Sequence, residues 1–308
     1  NPPITSIEDA KNYRERISKA VSREFDFTPL MTAYLTEDLS PIVLEDGLKE
    51  DVFIAAKLYP ANSTTNSSQG VRDLRAINSL LETMEKIEMP LLVHGEDMDP
   101  SIDVFDREAV FIERKLQPML NSFPKLRVVL EHITTTQAVE FVETSGFDLA
   151  ATITPHHLHL NRNAMFLGGF RSDFYCLPVV KREVHRRALR KAATSGKKCF
   201  FLGTDSAPHL RDSKESACAC AGIFNAPYAI ESYVQVFEEE GALDRLEGFC
   251  SEFGPSFYGL PLNKSSIKLI KKKNHVPNTI CVNSEEIPGG SIVPFHAGEF
   301  LNWTILNH

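Results

Sequence analysis

The sequence predicts a parallel α/β barrel, and three observations support that prediction. Short apolar runs alternate along the chain with amphipathic helical stretches. The polar residues Lys57, His94 and His132 recur at intervals of 37 and then 38 residues, about one strand-and-helix unit each time. The chain has 308 residues, enough for one large barrel or two smaller domains. Strand–helix–strand alternation of this kind builds a parallel sheet with right-handed crossovers.

Six apolar runs are predicted as strands that are buried on both faces. They are rich in β-branched and aromatic residues, as the strands of parallel sheets are. The runs cover residues 27–35, 52–60, 90–96, 126–133, 148–155 and 198–205. Since a closed barrel of this class has eight strands, two strands are unaccounted for.

Four helices are predicted between these strands from apolar residues at three- and four-residue spacing. They cover residues 74–87, 105–116, 136–142 and 181–193. We expect the second helix to stop before Pro118, and the last two to end near Gly146 and Gly196. From about residue 225 the chain has helical and loop character without a clear repeat. The sequence therefore predicts a single barrel domain over residues 1–308 with a C-terminal extension from about 225.

Composition narrows the class of protein. The 33 basic and 41 acidic residues give a net charge of −8, which argues against a nucleic-acid partner. No apolar run is long enough to cross a membrane, and the first residues lack a signal-peptide pattern. The six cysteines have no paired spacing, so we interpret them as free thiols. We expect a cytoplasmic protein with neither a nucleic-acid nor a membrane partner.

Four polar residues fall at the carboxyl ends of the predicted strands: Lys57, His94, His132 and Asp205. A single lysine or histidine at such a position is usually structural, and a single aspartate often begins a turn. Four polar residues at the same point of four strand-and-helix units indicate a functional site, because these strand ends form the active face of a βα barrel. Imidazoles and a carboxylate are zinc ligands. A lysine can join them only after carbamylation with CO₂ removes its charge.

Several long segments resemble the dihydroorotases, specifically the monofunctional type of bacteria, plants and fungi within the amidohydrolase superfamily. The resemblance extends from about residue 2 to residue 305, and it is carried by KLYPANSTTNSS, MPLLVHGE, VLEHITT, ITPHHL, FYCLPVVKR, FLGTDSAPH and GIFNAPYA. It implies a TIM-like (β/α)8 metallo-dependent hydrolase barrel with two zinc ions per subunit. It also implies a homodimer that reversibly cyclises N-carbamoyl-L-aspartate to L-dihydroorotate and water, in de novo pyrimidine biosynthesis.

The resemblance assigns roles to individual residues. Lys57 would be an N6-carboxylysine that bridges both zinc ions, and His94 and His132 would complete one metal site. Asp205 would bind the other zinc and act as general acid and base towards a metal-bridging hydroxide. The remaining matched residues would contact the substrate: the His209 side chain, the backbone of Leu177, Ala221 and Gly222, and the hydroxyls of Thr64 and Thr65 on a mobile lid.

The chain departs from the family pattern at its beginning. The family carries a His-x-His strand and an arginine about thirty residues before the position that matches Asn1, and this segment is absent here. We therefore expect the barrel to lack its first two strands. If the molecule itself lacks them, we expect one zinc ion and the activity to be lost.

Other interpretations remain open. A second cyclic-amide hydrolase of the superfamily, such as a dihydropyrimidinase or hydantoinase, would share the metals, and a substrate panel would distinguish it. A non-catalytic scaffold of the same fold is the other alternative, because the His-x-His ligands are missing. Two weaker metal motifs are interpreted as structural: His156, His157 and His159, of which His156 and His159 are expected to be solvated, and the Cys218–Cys220 pair.

Overall fold

A computed structural model describes residues 3–282 and 289–306. Its principal sheet has six parallel strands whose order in the sheet follows their order in the chain. These strands are β1 Met31–Tyr34, β2 Phe53–Leu58, β3 Leu91–His94, β4 Val128–Glu131, β5 Leu149–Ile153 and β6 Phe200–Leu202. Each lies inside one of the six predicted runs. The parallel order confirms the (β/α) barrel class, of which six strands are described.

One helix precedes the first strand, and the others, most of them short, come after it. They are α1 Ile7–Ala20, α2 Pro41–Lys49, α3 Asn78–Lys86, α4 Arg107–Phe111, α5 Gln117–Ser122, α6 Thr136–Thr144, α7 Pro155–His159, α8 Glu183–Ala193, α9 Arg211–Lys214, α10 Ala229–Glu239 and α11 Phe253–Tyr258. The predicted helices at 74–87, 136–142 and 181–193 correspond to α3 with the 3₁₀ turn before it, to α6 and to α8.

The predicted stop before Pro118 is wrong. After α4 the chain forms a π-helical turn at Ile112–Leu116 and continues as α5 to Ser122. Pro118 lies just after the π-helical turn, where the α-helical hydrogen-bond ladder is already interrupted, so its missing N–H and its ring are tolerated and the helical path passes through it.

The described chain falls into two compact units. Unit 1 contains residues 1–131 and 144–149, and unit 2 contains residues 132–143 and 150–308. In unit 1, buried strand residues such as Phe53, Leu58, Leu91 and Val128 form the apolar core. Unit 2 has its own core, in which Phe249 packs on Tyr233 and Phe237 with ring centroids 5.4 Å apart in each case.

The C-terminal segment contains strands that the sequence pattern does not predict. Three antiparallel pairs form in unit 2, and they are nested: β7 with β12, β8 with β11, and β9 with β10. Their bounds are Lys268–Ile270, Asn274–His275, Ile280–Val282, Gly290–Ile292, Phe300–Leu301 and Thr304–Leu306. The strands are two or three residues long, too short for alternation to be recognised. The prediction of helix and loop alone is therefore wrong from β7 onward.

No helix within residues 3–282 and 289–306 has the length and apolarity needed to cross a membrane.

Candidate active site

The four predicted metal ligands all lie at or just beyond the carboxyl ends of parallel strands. Lys57 is the penultimate residue of β2 and His94 is the last residue of β3. His132 directly follows β4, and Asp205 lies three residues beyond β6. Lys57 and His94 belong to unit 1, and His132 and Asp205 belong to unit 2. Carboxyl strand ends are where barrel enzymes carry their chemistry.

Lys57 is a buried lysine with an acidic partner in unit 1. Its side chain is only 9% exposed, and its Nζ forms an ion pair with the Glu131 carboxylate. The Nζ also lies 4.6 Å from the centre of the Tyr59 ring. Glu131 is a site residue that sequence reasoning missed; its only signal is its position beside His132 at the end of a strand.

His94 is held by a second carboxylate that the sequence analysis does not identify. Its Nε2 donates to the Glu96 carboxylate over 2.7 Å, and both side chains are almost completely buried. A carboxylate on one ring nitrogen fixes the tautomer and orientation of a histidine, which is the usual support of a metal-binding imidazole. Tyr59 lies beside both predicted ligands, since its ring centroid is 5.8 Å from that of His94 and the Lys57 ammonium lies over its face.

The predicted lid threonines line a cavity next to Lys57 in unit 1. This cavity has a volume of about 410 Å³, and its wall includes Tyr34, Lys57, Tyr59, Thr64 and Thr65. The Ser67 hydroxyl donates to the Thr64 carbonyl over 2.7 Å and accepts from the Thr64 N–H over 2.9 Å. The loop is thus closed on itself while both threonines face the space beside the lysine.

His132 and Asp205 share an uncommon backbone conformation. Each has a φ of +44°, in the left-handed region that non-glycine residues rarely adopt. The His132 N–H donates to the Thr152 hydroxyl over 2.7 Å, which anchors the turn after β4. Strained residues of this kind concentrate at functional sites, where the surrounding structure holds them in place. Six other non-glycine residues of the described ranges also have a positive φ, so the conformation accompanies the predicted roles of these two residues and does not by itself identify them.

His209 lies against the loop that carries Ala221 and Gly222. Its Nε2 donates to the Ala221 carbonyl over 3.0 Å, and partial burial lowers the pKa of the imidazole. Gly222 has a φ of +150°, and a Cβ there would lie 2.7 Å from Ala207 and 2.9 Å from the His209 ring. Only glycine fits this position, so the loop packs closely on His209. Of the predicted substrate contacts in unit 2, these three residues are adjacent in the structure.

Leu177 lies in a second backbone segment of unit 2. It precedes a cis peptide bond to Pro178, and the Pro178 carbonyl accepts from His157 Nε2 over 2.9 Å. Through Tyr175 this segment joins the loop of Ala221, because the Gly222 N–H donates to the Tyr175 carbonyl over 3.0 Å.

The weaker histidine motif lies on the short helix α7. His156 and His157 are fully buried on α7, and His159 is half-buried with its Nε2 donating to the Ser232 carbonyl over 3.0 Å, so the expectation that His156 and His159 are solvated is wrong. The ring nitrogens of His156 and His157 and the Cys176 thiol lie within 4.8 Å of one another. Thr154 and Pro178 already hydrogen-bond both nitrogens of His157, which favours a structural role for it in the core. Cys218 is exposed, and all six cysteines are free thiols.

Comparisons with known proteins agree with the segments identified in the sequence. The chain is 60% identical over 306 residues to a protein of Synechococcus sp. strain CC9605 named dihydroorotase, covering 99% of this chain and 85% of that protein. A dihydroorotase of Erwinia tasmaniensis is 55% identical over 305 residues, covering 99% and 86%. No family model matches the chain.

Solved structures give the same result. The dihydroorotase of Saccharomyces cerevisiae in complex with 5-fluoroorotic acid superposes with a TM-score of 0.89 at 35% identity, covering 99% of this chain and 86% of that one. An L-hydantoinase (dihydropyrimidinase) of Arthrobacter aurescens superposes with a TM-score of 0.76 at 16% identity, covering 99% and 72%. The second likeness concerns the fold alone.

Proposed function

The chain belongs to the dihydroorotase family, whose members are cyclic amidohydrolase enzymes, and from this premise we propose the reaction and the roles of its residues. The reaction is the reversible cyclisation of N-carbamoyl-L-aspartate to L-dihydroorotate and water. The observation that supports it most is identity over nearly the whole chain, together with the position of Lys57, His94, His132 and Asp205 at strand ends.

Zinc fits the donor set of these residues. His94 and His132 offer imidazoles, Asp205 a carboxylate, and Lys57 a carboxylate once its amine is carbamylated. Two zinc ions per subunit would supply a water of lowered pKa and polarise the amide carbonyl of the ring.

The remaining steps belong to the side chains of this chain. In ring opening, Asp205 would take the proton of the attacking water and pass it to the ring nitrogen that leaves. In ring closure it would take the proton from that nitrogen and give it to the hydroxide that leaves as water. His209 would bind the substrate carboxylate, and the backbone of Leu177 and Ala221 would orient the ring. Gly222 would support this by bringing its loop close to His209. Thr64 and Thr65 would close over the substrate and exclude bulk water.

A substrate panel tests the proposed function. We expect turnover of L-dihydroorotate, and kcat/KM lower by at least about 100-fold for dihydrouracil, which lacks the carboxylate that His209 would bind. Comparable turnover of dihydrouracil or a hydantoin would instead favour the dihydropyrimidinase interpretation. No turnover of any cyclic amide by zinc-loaded protein would favour the non-catalytic scaffold. The homodimer and the cytoplasmic location stay predictions, based on family resemblance.

A further inference from the structure

Lys214 is a buried lysine whose ammonium donates to three backbone carbonyls of unit 2. Its Nζ lies 2.8 Å from the Tyr175 oxygen, 2.8 Å from the Cys220 oxygen and 2.7 Å from the Gly222 oxygen. The residue is 5% exposed, and within the described part of the chain it forms no salt bridge. A lysine has three donors, and here each of them has a carbonyl acceptor.

The three carbonyls belong to the two backbone segments that are proposed to meet the substrate ring. Tyr175 lies two residues before Leu177, whereas Cys220 and Gly222 flank Ala221. The Gly222 N–H also donates to the Tyr175 carbonyl, which ties the same segments a second time. One ammonium therefore fixes the distance between them.

The loop held by Lys214 has a conformation that needs external support. Ala219 has a φ of +42°, and Gly222 packs against Ala207 and His209 at the limit of contact. Burial lowers the pKa of Lys214 to about 8, because desolvation disfavours the charged ammonium. The Lys214 ammonium is thus buried in spite of the cost of desolvation, and all three of its donors bind carbonyls of the same two segments. This arrangement points to a role in fixing the conformation of those segments.

We propose that Lys214 is a positioning residue for substrate binding, which fixes the backbone of residues 175–177 and 220–222 against the ring of the substrate. This inference rests on the proposed function, because that function assigns the two segments to the substrate. Lys214 is almost fully buried and its three donors are taken by these carbonyls, so it acts through the two segments and not by direct contact with the substrate.

The test compares Lys214→Met, which keeps the apolar stem, with Lys214→Gln, whose amide retains two donors. For Lys214→Met we expect KM for dihydroorotate and Kd for 5-fluoroorotic acid to rise about tenfold or more, the scale of a lost charged hydrogen bond. We expect kcat to stay within about threefold and the zinc content to be unchanged, because the variant leaves the chemistry intact. The KM and Kd of Lys214→Gln should lie between those of the parent and of Lys214→Met. Lys264→Met, which removes an exposed lysine, should have the KM and Kd of the parent.

Two outcomes would overturn the inference: a folded Lys214→Met with parental KM and Kd, or one that loses kcat at unchanged KM. If Lys214→Met does not fold, Lys214→Gln decides by the same criteria. If the parent protein does not turn over dihydroorotate, the proposed function fails separately. Hydrogen exchange at the Gly222 N–H then tests the loop directly: faster exchange in Lys214→Gln supports the positioning role, and unchanged exchange refutes it.

Discussion

The carboxylates of Glu96, which is buried, and Glu131, which is partly exposed, each engage a residue that the sequence pattern marks as a candidate metal ligand. Glu96 accepts from His94, and Glu131 pairs with Lys57. The candidate ligands are conspicuous in the sequence because each is a polar residue that ends an apolar run. Their supporting carboxylates are not, since a glutamate near a histidine in sequence has no distinctive spacing. Only the packed structure identifies which acid pairs with which candidate ligand.

Removing Lys57 is expected to remove most of the metal. Lys57→Ala eliminates the amine that would be carbamylated, and with it the only ligand proposed to join both zinc ions. We expect elemental analysis to find a large loss of zinc and no measurable turnover, whereas the exposed Lys49→Ala should keep the parental zinc content. Retention of two zinc ions by Lys57→Ala would refute its assignment as a ligand.

Gly222 is expected to be essential for a geometric reason. An alanine there would place its Cβ 2.7 Å from Ala207, so the loop that carries Ala221 must shift. A shift of about 1 Å in a substrate-positioning element can lower kcat/KM by about 100-fold, and we expect a loss of that size for Gly222→Ala. Gly241→Ala is the matched control, because Gly241 also has a positive φ but has nothing within 4 Å of the added Cβ. Equal activity in both variants would contradict the packing argument.

Among the secondary-structure elements, the six parallel strands are predictable and the short elements are not. Strand residues such as Phe53 and Val128 are buried, so their runs are continuously apolar and distinct from the helices between them. Helix α7 has only five residues, Pro155–His159, and three are histidines. So short a segment shows no helical periodicity, and the alternation of His157, Leu158 and His159 resembles the pattern of an extended strand.

Helix α7 also makes a prediction about acid stability. Burial lowers the pKa of His157 from 6.5 to about 3, so the folded protein excludes a proton that the unfolded chain binds below pH 6.5. The free energy of unfolding should therefore fall as pH decreases from about 6.5 towards 3, by up to about 1.4 kcal/mol per pH unit from this residue.

Urea unfolding at several pH values measures this dependence. We expect a shallower decline for His157→Gln and a parental decline for His275→Gln, because His275 is exposed. A parental slope in His157→Gln would show that other groups carry the acid sensitivity.

At the scale of the whole molecule, zinc should contribute to stability as well as to chemistry. A ligand that binds only the folded state stabilises it, by about 2.7 kcal/mol when its free concentration is 100 times its Kd. We expect a chelator to lower the melting temperature of the parent protein by several degrees, and added zinc to restore it. Lys57→Ala should respond little to either treatment. A melting temperature that chelation leaves unchanged would argue against a folded-state zinc site in this chain.

The nested pairing at the C-terminus has a consequence for the order of folding. The inner pair joins Val282 to Gly290, whereas the outer pair joins Ile270 to Thr304 across a far longer stretch of chain. Closing a long loop costs more entropy than closing a short one, so the outer pair gains when the inner pairs have already brought its ends together. We therefore expect β9 and β10 to pair first and β7 and β12 to pair last. In pulse-labelling hydrogen exchange, the amides of β7 and β12 should become protected after those of β9 and β10.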